Sequence, residues 1–406
     1  MVLSLIIFIC SMQLFTGGFS KPVTPASGHL NFTELVERHG YTAESHVVTT
    51  DDGYNIRIDR ISGSPSSPEA PGKPIVYLLH GIGVASEAWV LWDPNNSLAF
   101  LLADAGYDVW LANMRGTTNG RSHRTLNPDE DNEFWDFDLT TIATRDLPAQ
   151  IDFILDRTGE SKLTIIGHSM GTTLSYIFLS EKPEYNKSVN LVVSLAPIAY
   201  WHPKTLGLIR ILMNASFHTV KLLVNGPHMN AEVIPHGPHV LKFADDYCDP
   251  KISDLCIKLM NLFMQQSKTS LSFEEIRHLL EYAPAGASLK MLYHYLQNVN
   301  SGGFHKYDYE SSAANLQHYG QRTPPEYNLR NVEAPVVLIY IKTDFFAPEI
   351  STRILEEHLP NVVVSEAVRD KDFIHSDFIL HKNGGDIIHG RVIQLIDEIL
   401  KIKKKL

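Results

Sequence analysis

The chain has 406 residues, with 35 Lys and Arg against 46 Asp and Glu, and a formal net charge of −11. Hydrophobic residues make up 44 % and charged residues 20 %, which excludes a disordered or low-complexity chain. The acidic balance argues against a general nucleic-acid binder, because phosphate recognition needs a basic surface. The chain also carries 19 histidines, whose protonation would turn the net charge positive in an acidic compartment.

Residues 1–20 are typical of a secretory signal peptide. Val2–Ile9 is a short apolar run, and small residues follow up to a predicted cleavage site near Ser20. The run is too short to span a bilayer, and no later segment is typical of a transmembrane helix. A buried N-terminal segment is the alternative interpretation.

Two further features fit export, and with it a secreted or lysosomal protein. Loss of Cys10 with the signal leaves Cys248 and Cys256, an even pair that predicts a disulfide closing a small loop. Two free thiols are the alternative. The chain also contains four N-glycosylation sequons, at Asn31, Asn95, Asn186 and Asn214.

Short apolar runs of strand length alternate with helical patterns along much of the chain. Runs without polar alternation are typical of strands buried on both faces. Helical patterns such as Leu98–Ala105 and Leu147–Leu155 lie between them, which predicts a parallel α/β sheet. The predicted strands are Ile75–His80, Tyr107–Ala112, Leu163–Ile166, Leu191–Leu195 and Val336–Ile341.

Residues 201–320 differ, because they are helix-like and show no clear strand. Their helical patterns are Leu206–Val224, Ile252–Met264 and Phe273–Tyr295. A crossover between parallel strands needs only one helix, so this length predicts a cap inserted between core segments 21–200 and 321–406. Additional crossover helices in the main domain are the alternative.

The segment Gly167-His-Ser-Met-Gly171 carries the clearest chemical signal. It follows a predicted strand and precedes the helical run Thr172–Leu179, which is the setting of a G-x-S-x-G nucleophile elbow. The glycines leave room for the sharp turn, and the helix N-terminus behind Ser169 favours developing negative charge. We therefore predict Ser169 as a nucleophile.

A serine nucleophile needs a base, and the base needs an orienting acid, in the chain order Ser, acid, His for this turn. Asp344 follows the strand Val336–Ile341, and His375 follows the next strand-like run, Asn361–Val368. Both are predicted to lie in loops at the same sheet edge as Ser169. The rival candidates are His381 and His389 for the base, and Asp370 and Asp372 for the acid.

The oxyanion hole of such a site uses main-chain N–H groups. One is expected from Met170, the residue after the nucleophile, and the other from Ile82 in the loop after an early strand. The same loop, Gly81–Ser86, partly matches a dinucleotide-binding pattern, with Asp104 or Asp108 as ribose acid. That dehydrogenase alternative leaves the serine elbow unexplained. No metal or organic cofactor is expected.

With these residues in place, the chain resembles the acid lipases of the gastric and lysosomal type, from about Gly40 to the C-terminus. The resemblance rests on several blocks in order, namely Thr50–Tyr54, Asp104–Leu111, Arg115–Thr117, Glu133–Phe137, Asp146–Ala149, Gly167–Thr173, Leu195–Ala199 and Pro284–Ser288. It implies an α/β-hydrolase core with a helical cap, and hydrolysis of triacylglycerols or cholesteryl esters at a lipid–water interface. It also implies Ser169, Asp344 and His375 as the triad, and a disulfide in the cap.

Some positions depart from the family pattern. Met170 stands where the family usually has Gln, Ile341 where Gly is common, and Ile374 where Asn is common. The segment after Asp344 is one residue short. A soluble carboxylesterase and a catalytically silent lipid-binding protein are the alternative functions. The sequence leaves the oligomeric state open.

Overall fold

The computed structural model describes residues 30–202, 211, 214–215, 230–237, 240, 242 and 271–403. The predicted signal peptide and the cysteine pair Cys248 and Cys256 lie outside the described residues.

An eight-stranded sheet forms the centre of the molecule, in the order β1-β2-β4-β3-β5-β6-β9-β10. β1 pairs antiparallel with β2 and β2 with β4, whereas the pairs from β4 to β10 are parallel. The strands are β1 (Thr42–Thr49), β2 (Asn55–Gly63), β3 (Ile75–Leu79), β4 (Asp108–Leu111), β5 (Leu163–His168), β6 (Val189–Leu195), β7 (Glu232–Val233), β8 (Ala287–Ser288), β9 (Val336–Tyr340) and β10 (Val362–Ala367). Every residue of β3, β5 and β9 is buried, so the apolar runs are core strands, and the predicted α/β class is confirmed.

Helices cover both faces of the sheet and bury an apolar cluster on each side. They are α1 (Phe32–Glu37), α2 (Leu98–Asp104), α3 (Leu147–Thr158), α4 (Met170–Glu181), α5 (Phe273–Leu280), α6 (Leu289–Ser301), α7 (Ser312–Tyr319), α8 (Glu349–His358), α9 (Asp377–Leu380) and α10 (Gly390–Lys403). A π-helical turn at Ile142–Asp146 leads directly into α3. Because parallel strands point the same way, the loops after β3, β5, β9 and β10 meet at one sheet edge.

The helix predicted over Phe273–Tyr295 is wrong, because two helices, α5 and α6, occupy this stretch. Pro284 and Gly286 interrupt it, and Gly286 has a φ of +91° that side chains rarely adopt. A Cβ on Gly286 would lie 2.6 Å from the main-chain oxygen of Gly116. The interruption lets β8 pair with β7 in a region where no strand was predicted, since two-residue strands leave no periodic signal.

In the ranges that the structure describes, no helix combines the length and the hydrophobicity needed to cross a membrane. The division into core and cap remains a prediction.

Candidate active site

Ser169 lies between β5 and α4 in a strained turn, with φ 53° and ψ −115°. The turn needs both flanking glycines. A Cβ on Gly171 would lie 2.2 Å from the main-chain oxygen of Leu79, and one on Gly167 would lie 2.6 Å from the carbonyl carbon of Gly171. The Ser169 N–H donates to the Leu195 oxygen at 3.0 Å. This geometry presents the serine hydroxyl at the carboxyl edge of the sheet.

The structure brings the three predicted triad residues into one hydrogen-bonded chain. His375 Nδ1 lies 2.8 Å from Asp344 Oδ2, and His375 Nε2 lies 2.8 Å from Ser169 Oγ. A carboxylate only accepts, so Nδ1 carries the proton and Nε2 accepts from the serine hydroxyl. Asp344 follows β9 and His375 follows β10, as the chain order predicts.

Asp344 retains its negative charge in a buried position. Its burial alone would raise its pKa, but the charge of His375 and the hydrogen bonds to the carboxylate hold that pKa below its usual value. Oδ1 accepts from the N–H groups of Phe346 at 2.7 Å and Ala347 at 3.1 Å, which leaves Oδ2 for the imidazole. An ionised, fixed Asp344 keeps the His375 ring in one tautomer and orientation.

The loop after β3 packs directly against the serine. A Cβ on Gly81, the residue before Ile82, would lie 3.4 Å from Ser169 Cβ. Met170 is the first residue of α4, and its N–H has no partner inside the helix. Neither amide donates to another protein group within the described residues. Both are therefore available to a developing oxyanion.

The dehydrogenase alternative does not fit this loop. Gly81–Ala85 leads into a short 3₁₀ turn at Ser86–Trp89, where dinucleotide binding needs the N-terminus of a longer helix. The carboxylate of Asp108 is occupied by the guanidinium of Arg60, at 2.7 and 2.8 Å.

An apolar wall beside His375 was not predicted from the sequence. It consists of Ile198, Trp201, Leu296, Val299 and Ala347, all nearly inaccessible to solvent. Phe346 packs against this wall and also makes an edge contact with the His375 ring, with centroids 5.0 Å apart. The aromatic pair Phe345-Phe346 after the acid was the available signal.

The described part of the predicted cap is joined to the loop that carries Ile82. Ala285 N–H donates to the Gly83 oxygen at 2.8 Å, and Arg121 pairs with Glu232 of β7 at 2.8 Å. Burial raises the pKa of Glu232, although Arg121 opposes the shift. Ala285, which lies within the predicted cap, therefore contacts the loop next to Ile82.

The rival residues hydrogen-bond elsewhere. His389 Nε2 lies 2.9 Å from the Phe378 oxygen, and His381 Nδ1 accepts from the Asn383 N–H at 3.0 Å. The Asp370 carboxylate accepts from the N–H of Asp372 at 2.9 Å. None of these groups is bonded to Ser169 or His375.

The sequons differ in accessibility. Asn31 and Asn95 are exposed and Asn214 is partly exposed. Asn186 is the exception, because its side chain is buried and fully bonded, and a glycan would replace one of the two Nδ2 hydrogens that are shared among three main-chain oxygens. The structure therefore argues against use of the Asn186 sequon. Its partners are the main-chain oxygens of Leu179, Pro183 and Asn331 and the N–H groups of Glu333 and Ala334.

Comparisons with known proteins agree with this geometry. Residues 74–218 match the family model described as alpha/beta hydrolase fold, and residues 32–93 match a partial alpha/beta-hydrolase lipase region. A bacterial membrane phospholipase A superposes with a TM-score of 0.50 at 16 % identity, covering 90 % of this chain and 87 % of that chain, and shares the fold.

Similarity to curated proteins extends over nearly the whole length. The chain is 34 % identical to human lipase member K over 95 % of both proteins. It is 32 % identical to human gastric triacylglycerol lipase over 91 % of both, and 32 % identical to human lysosomal acid lipase/cholesteryl ester hydrolase over 94 % of both. With the α/β sheet and the serine elbow, this similarity shows that the chain belongs to the acid lipase family of α/β hydrolases.

Proposed function

We propose that this protein is a serine hydrolase that cleaves the ester bonds of neutral lipids through an acyl-enzyme. Triacylglycerols are the first proposed substrate class and cholesteryl esters the second, as the names of the gastric and lysosomal relatives suggest. The observation that carries the proposal is the chain of two 2.8 Å contacts from Asp344 through His375 to Ser169.

The geometry supports the following steps. Ser169 Oγ attacks the ester carbonyl carbon while its proton passes to His375 Nε2. The carbonyl oxygen becomes an oxyanion, which the Ile82 and Met170 N–H groups stabilise. The intermediate then collapses, and the alcohol leaves with the proton from His375. A water molecule repeats the sequence on the acyl-enzyme, with His375 again as the base, and releases the fatty acid and free Ser169.

Two observations favour a lipid over a small soluble ester. The half-buried Phe346 ring, which packs against the apolar wall, contacts the catalytic base and offers apolar surface to an acyl chain there. Ile82, on the loop that carries the oxyanion amide, is 37 % exposed although it is a large apolar residue. We further propose that the protein acts in a secreted or lysosomal setting, as the predicted signal peptide suggests.

The test compares the purified wild type with Ser169→Ala on a triacylglycerol emulsion, a cholesteryl ester and a short soluble ester, from acidic to neutral pH. Ser175→Ala is the matched control, because it removes a buried hydroxyl from α4, the helix that follows Ser169. We expect emulsion hydrolysis by wild type and Ser175→Ala and none above background by Ser169→Ala. Activity confined to the short ester would indicate a carboxylesterase. A folded protein that binds lipid without turnover would refute the proposal.

A further inference from the structure

The steps above leave one buried imidazole next to the nucleophile unused. His168 is the last residue of β5, directly before Ser169, and is 6 % exposed. Its Nε2 lies 2.9 Å from the main-chain oxygen of His375. A carbonyl oxygen only accepts hydrogen bonds, so His168 Nε2 carries a proton and donates it.

This hydrogen bond joins the two elements whose spacing sets the reaction. Ser169 belongs to the β5 turn, and His375 belongs to a loop more than two hundred residues later in the chain. The loop is closed on itself by Ile374 N–H to the Asp377 carboxylate and by Asp377 N–H to the Ile374 oxygen, both at 2.9 Å. In the part of the chain that the structure describes, the His375 oxygen accepts only from His168.

The His168 ring is neutral in this position. Burial first, and then the nearby charge of His375, lower the pKa of His168 to about 3. The charged groups around it have mixed effects, since Asp344 favours the protonated form and His80 disfavours it. The ring also packs against that of His375, with centroids 5.1 Å apart. A neutral ring donates to the carbonyl without placing a second positive charge beside the catalytic imidazolium.

We propose that His168 is a positioning residue for the reaction, acting through the main chain of His375. Its hydrogen bond fixes the height of the loop above β5 and thereby keeps His375 Nε2 within reach of Ser169 Oγ. The inference rests on the proposed serine hydrolase function and adds a fourth side chain to the site. Without the bond the loop can shift, and a misplacement of about 1 Å at a reacting atom costs about a hundredfold in rate.

A purely structural role would look different, and the chain offers a matched control. His294 is also buried, and its Nε2 lies 2.7 Å from a main-chain oxygen, that of His305. Among the residues that the structure describes, neither its Nδ1 nor that of His168 has a hydrogen-bond partner. Burial likewise lowers its pKa. It differs from His168 in two respects: its carbonyl partner does not belong to a triad residue, and that oxygen also accepts from Asn298 Nδ2 at 3.2 Å.

The experiment compares wild type, His168→Leu, His168→Gln and His294→Leu. Kinetics on a short soluble ester give kcat and KM, and a fluorescent alkyl phosphonate gives the rate of covalent labelling of Ser169. Thermal unfolding reports stability. Leucine removes the donor from either site, whereas glutamine places an amide N–H near the position of the imidazole Nε2.

For His168→Leu we expect kcat and the labelling rate to fall by about 10- to 100-fold, with KM within about twofold of wild type. His168→Gln should recover most of that loss, and His294→Leu should lose thermal stability while keeping the wild-type kcat. A wild-type kcat in His168→Leu, an equal loss in His168→Gln, or an equal loss in His294→Leu would each overturn the inference alone. A wild type that neither labels nor turns over any ester would overturn the proposed function, and the inference with it.

Discussion

Replacing His389 with glutamine should make the protein more resistant to acid. His389 is 1 % exposed, and its Nε2 lies 2.9 Å from the Phe378 oxygen. Burial lowers its pKa to about 4, although the hydrogen bonds to main-chain oxygens oppose the shift. An unfolded histidine titrates near 6.5, so between about pH 4 and pH 6.5 the unfolded chain binds a proton that the folded protein does not. Stability contributed by the neutral ring is therefore lost as the pH falls through this window.

The magnitude follows from linkage. Each pH unit between the two pKa values shifts the free energy of unfolding by about 1.4 kcal/mol. From about pH 8 to about pH 5, the unfolded chain gains about 2 kcal/mol from protonating this one ring. Glutamine does not titrate and retains an N–H donor for the Phe378 oxygen. Acidification should therefore not lower the free energy of unfolding of the variant by this amount of about 2 kcal/mol.

The assay is urea unfolding of wild type and His389→Gln at about pH 8 and about pH 5. At each pH the free energy of unfolding of wild type is subtracted from that of the variant. The change in this difference between the two pH values reports the titration of the His389 ring. A second variant, His389→Leu, loses the hydrogen bond at both pH values, which should lower its stability by a pH-independent amount of about 1 kcal/mol. It should gain the same 2 kcal/mol or so relative to wild type on acidification. Parallel loss of stability in wild type and both variants would refute the reasoning.

Three other predictions follow from named contacts. Asn186→Ala should lower the free energy of unfolding in urea by about 3 kcal/mol or more, because it leaves buried main-chain groups without partners, and peptide mapping of the wild type should find Asn186 unmodified. Gly171→Ala should lose at least about a hundredfold in phosphonate labelling, since its Cβ would lie 2.2 Å from the Leu79 oxygen and displace the serine turn. Arg121→Met should lower the free energy of unfolding by about 2 kcal/mol at neutral pH, because it leaves the Glu232 carboxylate without this guanidinium. The loss should be smaller in acid, where that carboxylate becomes protonated, and urea unfolding at two pH values measures both.

The sheet and the triad could be predicted because both leave local marks in the sequence. Strands buried on both faces, such as β3 and β9, must be apolar throughout, and continuous apolar runs are visible without any partner. The elbow requires glycine on both sides of Ser169, because any Cβ there meets main-chain atoms. Once Ser169 was placed, the order of strands along the chain indicated which loops carry Asp344 and His375.

What could not be predicted depends on contacts between distant segments. The apolar wall draws Trp201 from the loop after β6, Leu296 from α6 and Ala347 from the loop after β9, and no periodic pattern connects them. His168 belongs to the G-x-S-x-G segment, but its partner is the main-chain oxygen of His375. Every residue has a main-chain oxygen, so the sequence does not indicate which one His168 contacts. Pro284 indicates a break in the predicted helix, but the amphipathic helical pattern continues on both sides of it and favours one long helix.

The candidate site keeps its acid charged although burial disfavours the charged form of the acid and of the neighbouring imidazoles alike. Burial would discharge Asp344 as well as His80 and His168, and for the two histidines it does, with pKa values lowered to about 4 and about 3. Asp344 escapes because His375 and two main-chain N–H groups favour its charged form more than burial penalises it, so its pKa falls instead of rising. Acidification therefore leaves the acid charged and the two neighbouring imidazoles neutral well below neutral pH. The orientation of His375 then persists under acidic conditions.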